Sequence, residues 1–107
     1  MRRATILVQG RPAGTLIEIA RNRSYRFDYS PDYQGSPISL TMPLRSEPYE
    51  FDRFPPFFDG LLPEGAQLDA LLRTAKIDRD DPMLQLLTVG GDLVGAVTVV
   101  PLEEGSE

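Results

Sequence analysis

The sequence predicts an α+β fold, an antiparallel sheet of about five strands with two or three helices packed against it. Three observations carry this expectation. Period-two alternation broken by turn residues runs through the N-terminal third, a helical stripe of leucines follows, and an apolar strand-like run returns near the end.

Residues 5–8 and 15–20 are β-rich runs separated by Gly10-Arg11-Pro12-Ala13-Gly14, whose glycines and proline supply turn geometry, so a hairpin is expected. Asn22-Arg23 marks a second turn. Tyr25, Phe27 and Tyr29 then alternate with Arg26 and Asp28, the pattern of a strand with one buried face. Ile38, Leu40 and Met42 alternate with Ser39 and Thr41 and predict a fourth, short strand ended by Pro43. Residues 45–53 are polar, contain Pro48 and read as an exposed connection.

Pro55 and Pro56 suit a first helical turn, where a missing N–H costs nothing, with Asp52 available as a cap. Phe57, Phe58, Leu61 and Leu62 share one side of that helix, and such groups are more often core than contact surface. From Glu64 onward, Leu68, Leu71, Leu72 and Ala75 fall at i, i+3, i+4 and i+7, one apolar stripe on a helix reaching about Lys76. Asp69, Arg73 and Lys76 are left for water or a partner. Asp81-Pro82 reads as N-cap and first helical residue of a helix carrying Met83, Leu84, Leu86 and Leu87, stopped by Gly90-Gly91. Residues 93–100 are apolar on both faces, which predicts a strand central in the sheet that ends at Pro101. Residues 1–102 thus form a single domain, and residues 103–107 an acidic, solvated tail.

Composition narrows the chemistry. The 107 residues, 41% hydrophobic and 25% charged, suit one globular domain with one core and little room for a deep internal pocket, so binding is expected on the outside. There is no cysteine and no histidine. That removes disulfides, thiolate metal sites and most triad or zinc-hydrolase schemes, and it favours a cytoplasmic setting. The net charge of −5 argues against direct nucleic-acid binding, although the early arginines, Arg2, Arg3, Arg11, Arg21, Arg23 and Arg26, lean the N-terminal third positive and could meet an acidic patch. No apolar run approaches the roughly 20 residues needed to cross a bilayer, and the one at the N-terminus is too short for a signal segment.

No motif supplies a catalytic, metal or cofactor site. Asp78, Asp80 and Asp81 lack the glycine and terminal glutamate of a calcium loop and read as a helix-capping turn. Gly90, Gly91 and Gly95 match no phosphate-binding fingerprint, and turn or close-packing roles account for them better. A kinase needs a phosphate-binding lysine, a catalytic aspartate with a downstream asparagine, and a metal-binding aspartate. The lone lysine, Lys76, falls at a helix end and the lone asparagine, Asn22, in a turn, so no kinase site can assemble. Asp59 and Glu64 could formally act as paired carboxylates, a weak reading. The turn Pro63-Glu64-Gly65-Ala66-Gln67-Leu68 is the better candidate, because a helix start with free N–H groups beside an acidic and an apolar side chain can dock a partner.

Two segments, Phe57-Phe58-Asp59-Gly60-Leu61-Leu62-Pro63-Glu64-Gly65 and Gly91-Asp92-Leu93-Val94-Gly95-Ala96-Val97, stand in an order and spacing that no packing rule demands. With Val8-Gln9-Gly10, Gly14-Thr15-Leu16, Tyr25-Arg26-Phe27-Asp28-Tyr29 and Ile38-Ser39-Leu40-Thr41-Met42-Pro43-Leu44, they resemble the first N-terminal subdomain of the HipA family of bacterial serine/threonine kinase toxins. The resemblance covers most of the chain, and the kinase that follows in full-length toxins is missing. A chain that starts at Met1 and closes on an acidic tail looks like a separate gene product, similar to HipS of three-component systems containing the truncated kinase HipT and the DNA-binding protein HipB. That likeness implies an antitoxin that binds a HipT-like kinase in trans and neutralises it, without cofactor. The alternative is a non-inhibitory assembly module linking the kinase to a HipB-like protein. Glu64, Gly65, Gln67, Leu68 and Asp69 are the expected partner-facing residues; the chain has no tryptophan to serve as an anchoring plug.

Overall fold

In the computed structural model, which describes residues 1–93 and 95–102, β1 (Arg3–Val8), β2 (Arg11–Ala20) and β3 (Ser24–Tyr29) form the expected antiparallel meander. The five-residue linker foreseen in the first hairpin shrinks to Gln9-Gly10. Both adopt positive φ, 50° and 80°, the geometry whose twist matches the flanking strands. The remaining residues of that linker extend β2, and the register slips between Ile6 and Leu7, leaving Ala13 buried opposite the slip. Asn22 turns the second hairpin at φ 56°.

The fourth strand is not where the alternation placed it. Between Ile38 and Met42 there is only an isolated bridge, Ser39 to Met42, and Leu40 stands fully in solvent. Ile38 and Met42 are buried as two plugs on a turn, clasped by the Tyr29 hydroxyl, which accepts from the Ile38 N–H at 3.0 Å and donates to the Met42 carbonyl. A turn that inserts alternate side chains mimics a strand in sequence. The actual β4 is Tyr49–Phe51, inside the segment expected to be an exposed connection, and it pairs with β3 through Tyr25–Phe51 and Phe27–Tyr49.

Three helices follow: α1 (Pro56–Asp59), α2 (Gly65–Ala75) and α3 (Pro82–Val89). Pro55, not Asp52, precedes the first helical residue of α1, and no side chain caps it. Asp81 caps α3 as expected, accepting from the Leu84 N–H at 3.3 Å. A single 3₁₀ turn, Gly90–Asp92, leads to β5 (Val97–Leu102).

The sheet order is β4-β3-β2-β1-β5, so the last strand is an edge and not the centre. Apolar composition on both faces does not report how many neighbours a strand has. Pro101 does, because it cannot donate to a second ladder and is tolerated where only one side is paired. β5 also begins at Val97 and not at residue 93, since the 3₁₀ turn and Gly95 at φ 108° occupy the approach. Val94 and the tail at residues 103–107 lie outside the described residues.

One pleat face carries the core. Ala4, Ile6, Leu16, Tyr25, Phe27 and Val99 pack there against Phe58 from α1 and Met83 and Leu86 from α3. The opposite face, with Thr5, Leu7, Thr15, Ile17 and Val100, stays half-buried or exposed. The docking of α3 on β5 depends on Gly90: a Cβ there would collide with the Val99 carbonyl and lie 2.6 Å from Val99 Cβ. Gly90→Ala is therefore expected to destabilise by about 1–3 kcal/mol. Gly91→Ala, whose added Cβ meets nothing within 4 Å, should stay within about 0.5 kcal/mol in the same urea titration. Equal losses at both positions would refute the close-packing role.

Candidate docking surface

The segment 57–65 splits into a buried half and an exposed half. Phe58 is fully buried and meets Phe57 edge-on at 5.1 Å and Phe27 at 6.0 Å. Leu61 and Leu62 pack half-buried against the core. The winding of α1 continues past Asp59, with the Leu61 N–H donating to the Phe58 carbonyl and the Leu62 N–H to that of Asp59. Pro63 stops it, having no N–H to extend the series. Glu64 is extended at φ −130°, and Gly65 at φ 58° starts α2 in a conformation that favours glycine.

Helix α2 contains no buried residue; its stripe of Leu68, Leu71 and Leu72 is only half-buried, and Ala75 is exposed. No side chain caps its N-terminus. This helix rests on the rim of the core, with Glu64, Gly65, Ala66 and Gln67 all exposed at its start.

Beside that start lies an open groove of about 480 Å³. Its lining includes Glu64 and Leu68 at the start of α2, Asp80 and Pro82 at the approach to α3 and its first residue, and Tyr25 and Phe54, whose rings meet edge-to-face at 5.3 Å. Of the five partner-facing residues expected from sequence, the structure brings Glu64 and Leu68 to the groove. Gly65 and Gln67 are exposed outside it. Asp69, exposed outside the groove, holds Arg79 at 2.5 Å, and Arg79 itself borders the groove. Asp59 and Glu64 both border the groove as exposed side chains on open surface.

Sequence reasoning missed Gln85, which also lines the groove. Its signal was a lone polar residue among Met83, Leu86 and Leu87 on the most apolar helix. Only 3% exposed, it donates from Nε2 to the carbonyls of Asp78 and Arg79 at 3.2 and 3.0 Å, pinning the α2–α3 turn. Asp78 fulfils the expected turn role by accepting from the Asp80 N–H at 2.9 Å.

Behind the groove, Arg2 turns inward, contrary to the surface role open to the early arginines. It makes paired contacts to Glu18 at 2.6 and 2.7 Å and to Asp81 at 2.9 and 3.0 Å, joining β1, β2 and the cap of α3. Burial pushes both carboxyls upward, but hydrogen bonds from Arg2, with those from the Asn22 and Leu84 N–H groups, outweigh it, and both pKa values lie below the ordinary carboxylate range. The same contacts hold Arg2 above its ordinary value against its own desolvation. Burial, followed by the Glu18 charge, also raises the Tyr25 phenol.

The arrangement defines a single-sheet α+β domain with helices on one face and an open groove where two of their turns meet. A model of the HipA N-terminal domain matches residues 4–100, and the chain belongs to that family. It is 34% identical to a Haemophilus influenzae protein named "Uncharacterized protein", with 92% of each chain covered. Two Sinorhizobium fredii proteins, "Putative kinase Y4mE" and "Putative kinase Y4dM", are 32% and 33% identical over 68% and 96% of this chain, which spans only 17% and 28% of their lengths. A solved structure titled "N-terminal domain of HipA toxin" superposes with a TM-score of 0.74 at 30% identity, covering 97% of this chain and 95% of that one. No helix among the described residues is long and apolar enough to cross a membrane.

Proposed function

We propose that this chain is a cytoplasmic antitoxin of the HipS type, which binds a HipT-like kinase in trans through the surface around the α1–α2 turn and neutralises it. The observation that carries this reading is one of proportion. The same domain makes up a minor part of two relatives named as kinases and nearly all of the Haemophilus relative. A domain that serves as one piece of a larger protein can act on the remaining piece by occupying the surface its fused counterpart would hold. Inhibition then needs only a differential affinity for one arrangement of the kinase, with no chemistry from the domain. A standard interface of about 800 Å² per partner fits a body of this size.

Glu64, Gly65, Gln67, Leu68 and Asp69 remain the proposed contact set, with Glu64 and Leu68 at its centre because they also border the groove. Co-expression with the HipT-like kinase of the same genome is expected to restore growth without further components. Glu64→Lys with Leu68→Ala should weaken kinase binding at least about tenfold, the scale of one central contact, while leaving urea unfolding near wild type. Growth rescue that requires a HipB-like protein would favour the assembly role over neutralisation. Absence of any kinase binding by the wild-type chain would end both.

A further inference from the structure

We infer that the groove between the α1–α2 turn and the α2–α3 turn is a receptacle for a basic side chain, an arginine or lysine presented by the partner. The identification of that partner as a kinase rests on the proposed function; the chemistry of the receptacle does not. Two independent features point to a cation.

The first is charge. Asp52, Asp59, Glu64 and Asp80 border the groove against Arg53 and Arg79, and the Arg79 guanidinium is already held by Asp69 from outside it. Carboxylates therefore dominate the rim.

The second is Gln85. Both hydrogen bonds of its side chain leave from Nε2, and among the described residues no buried side-chain nitrogen or oxygen lacks a partner. Its Oε1 accordingly keeps some exposure, and Gln85 is among the residues that line the groove. A side chain that is 3% exposed and locked at its donor end presents a fixed acceptor. It cannot flip to offer its NH2 without breaking both turn contacts. An anion would face this carbonyl as well as the acidic rim. A guanidinium or ammonium would meet the Gln85 carbonyl and the bordering carboxylates, with the rings of Tyr25 and Phe54 for its aliphatic stem or its charge.

The test uses the intact ¹⁵N-labelled protein and two probes of nearly equal shape, N-acetyl-arginine amide and N-acetyl-citrulline amide, titrated at constant ionic strength. The arginine compound is expected to shift the Gln85 side-chain amide and the backbone amides of Asp59 and Asp80 at concentrations where the citrulline compound does not. Asp59→Asn with Asp80→Asn, both exposed positions, should raise the apparent Kd for the arginine probe at least threefold. Identical responses to the two probes, or arginine-specific shifts elsewhere on the surface, overturn the inference. A kinase-binding assay with the same double variant separates the two claims. A wild-type chain that takes arginine in the groove but ignores the kinase refutes the proposed function alone, whereas one that binds the kinase but does not prefer arginine refutes the receptacle alone.

Discussion

Replacing Arg2 by methionine is expected to remove about 3–5 kcal/mol of unfolding free energy at neutral pH, a large part of what a domain of this size has. The magnitude follows from what is left behind. Glu18 is 2% exposed and Asp81 partly buried, so deleting their common cation strands two desolvated carboxylates. The exposed Arg26–Asp28 pair at 3.1 Å is the internal contrast, and Arg26→Met should cost less than about 1 kcal/mol. The pH dependence gives a second check with a definite sign. Carboxyls whose folded pKa is depressed contribute stability that is fully present above their unfolded value, about 4, and is lost as pH falls through the lower folded value. Without Arg2, the chief opposition to burial is gone at Glu18 and Asp81 and only the Asn22 and Leu84 N–H bonds and the Arg21 charge still counter it, so their folded pKa rises and protonation relieves the variant. The gap between wild type and Arg2→Met should therefore narrow from pH 7 to pH 3 in parallel urea titrations. A gap independent of pH would show that the three-way cluster is not its source.

Phe58→Ala should be comparably damaging, at about 3–5 kcal/mol, since it empties a fully buried site between the sheet and the helices. Phe57→Ala, at the half-buried neighbour, should lose clearly less. The comparison matters for function because the two residues stand side by side in the segment that resembles HipA. A variant at Phe58 that abolishes the proposed kinase neutralisation would report unfolding, whereas Leu68, on a helix with no buried residue, is expected to be alterable with the fold intact. If thermal and urea unfolding placed Phe58→Ala within about 1 kcal/mol of wild type, the division of this segment into core and docking halves would be wrong.

The meander was legible because each signal in it is local: side chains alternate along β1 to β3, and Gln9, Gly10 and Asn22 can take positive φ between them. β4 escaped notice because three residues flanked by polar ones carry too little pattern, and their pairing is decided by where the chain returns. Alternation at Ile38, Leu40 and Met42 misled for a related reason. It records which side chains are apolar, and Leu40, fully exposed, shows that apolar does not mean inward. The centrality assigned to the final strand ignored the one residue in it with a positional meaning, Pro101. At the candidate site, Glu64 and Leu68 could be picked out from the turn that contains them. Asp52 and the stretch from Asp80 to Gln85 meet only through tertiary packing, so although Gln85 stood out as a lone polar residue on an apolar helix, no local pattern announced the groove.

The pairing of β1 with β5 sets a condition on synthesis. β1 is made before the other strands but acquires its second neighbour only when residues 97–102 have been made, after all three helices. Until then β1 is the open margin of the nascent sheet and Gly90 lacks the Val99 backbone it packs against, so the exposed edge passes from β1 to the proline-bearing β5 only when the last strand is made.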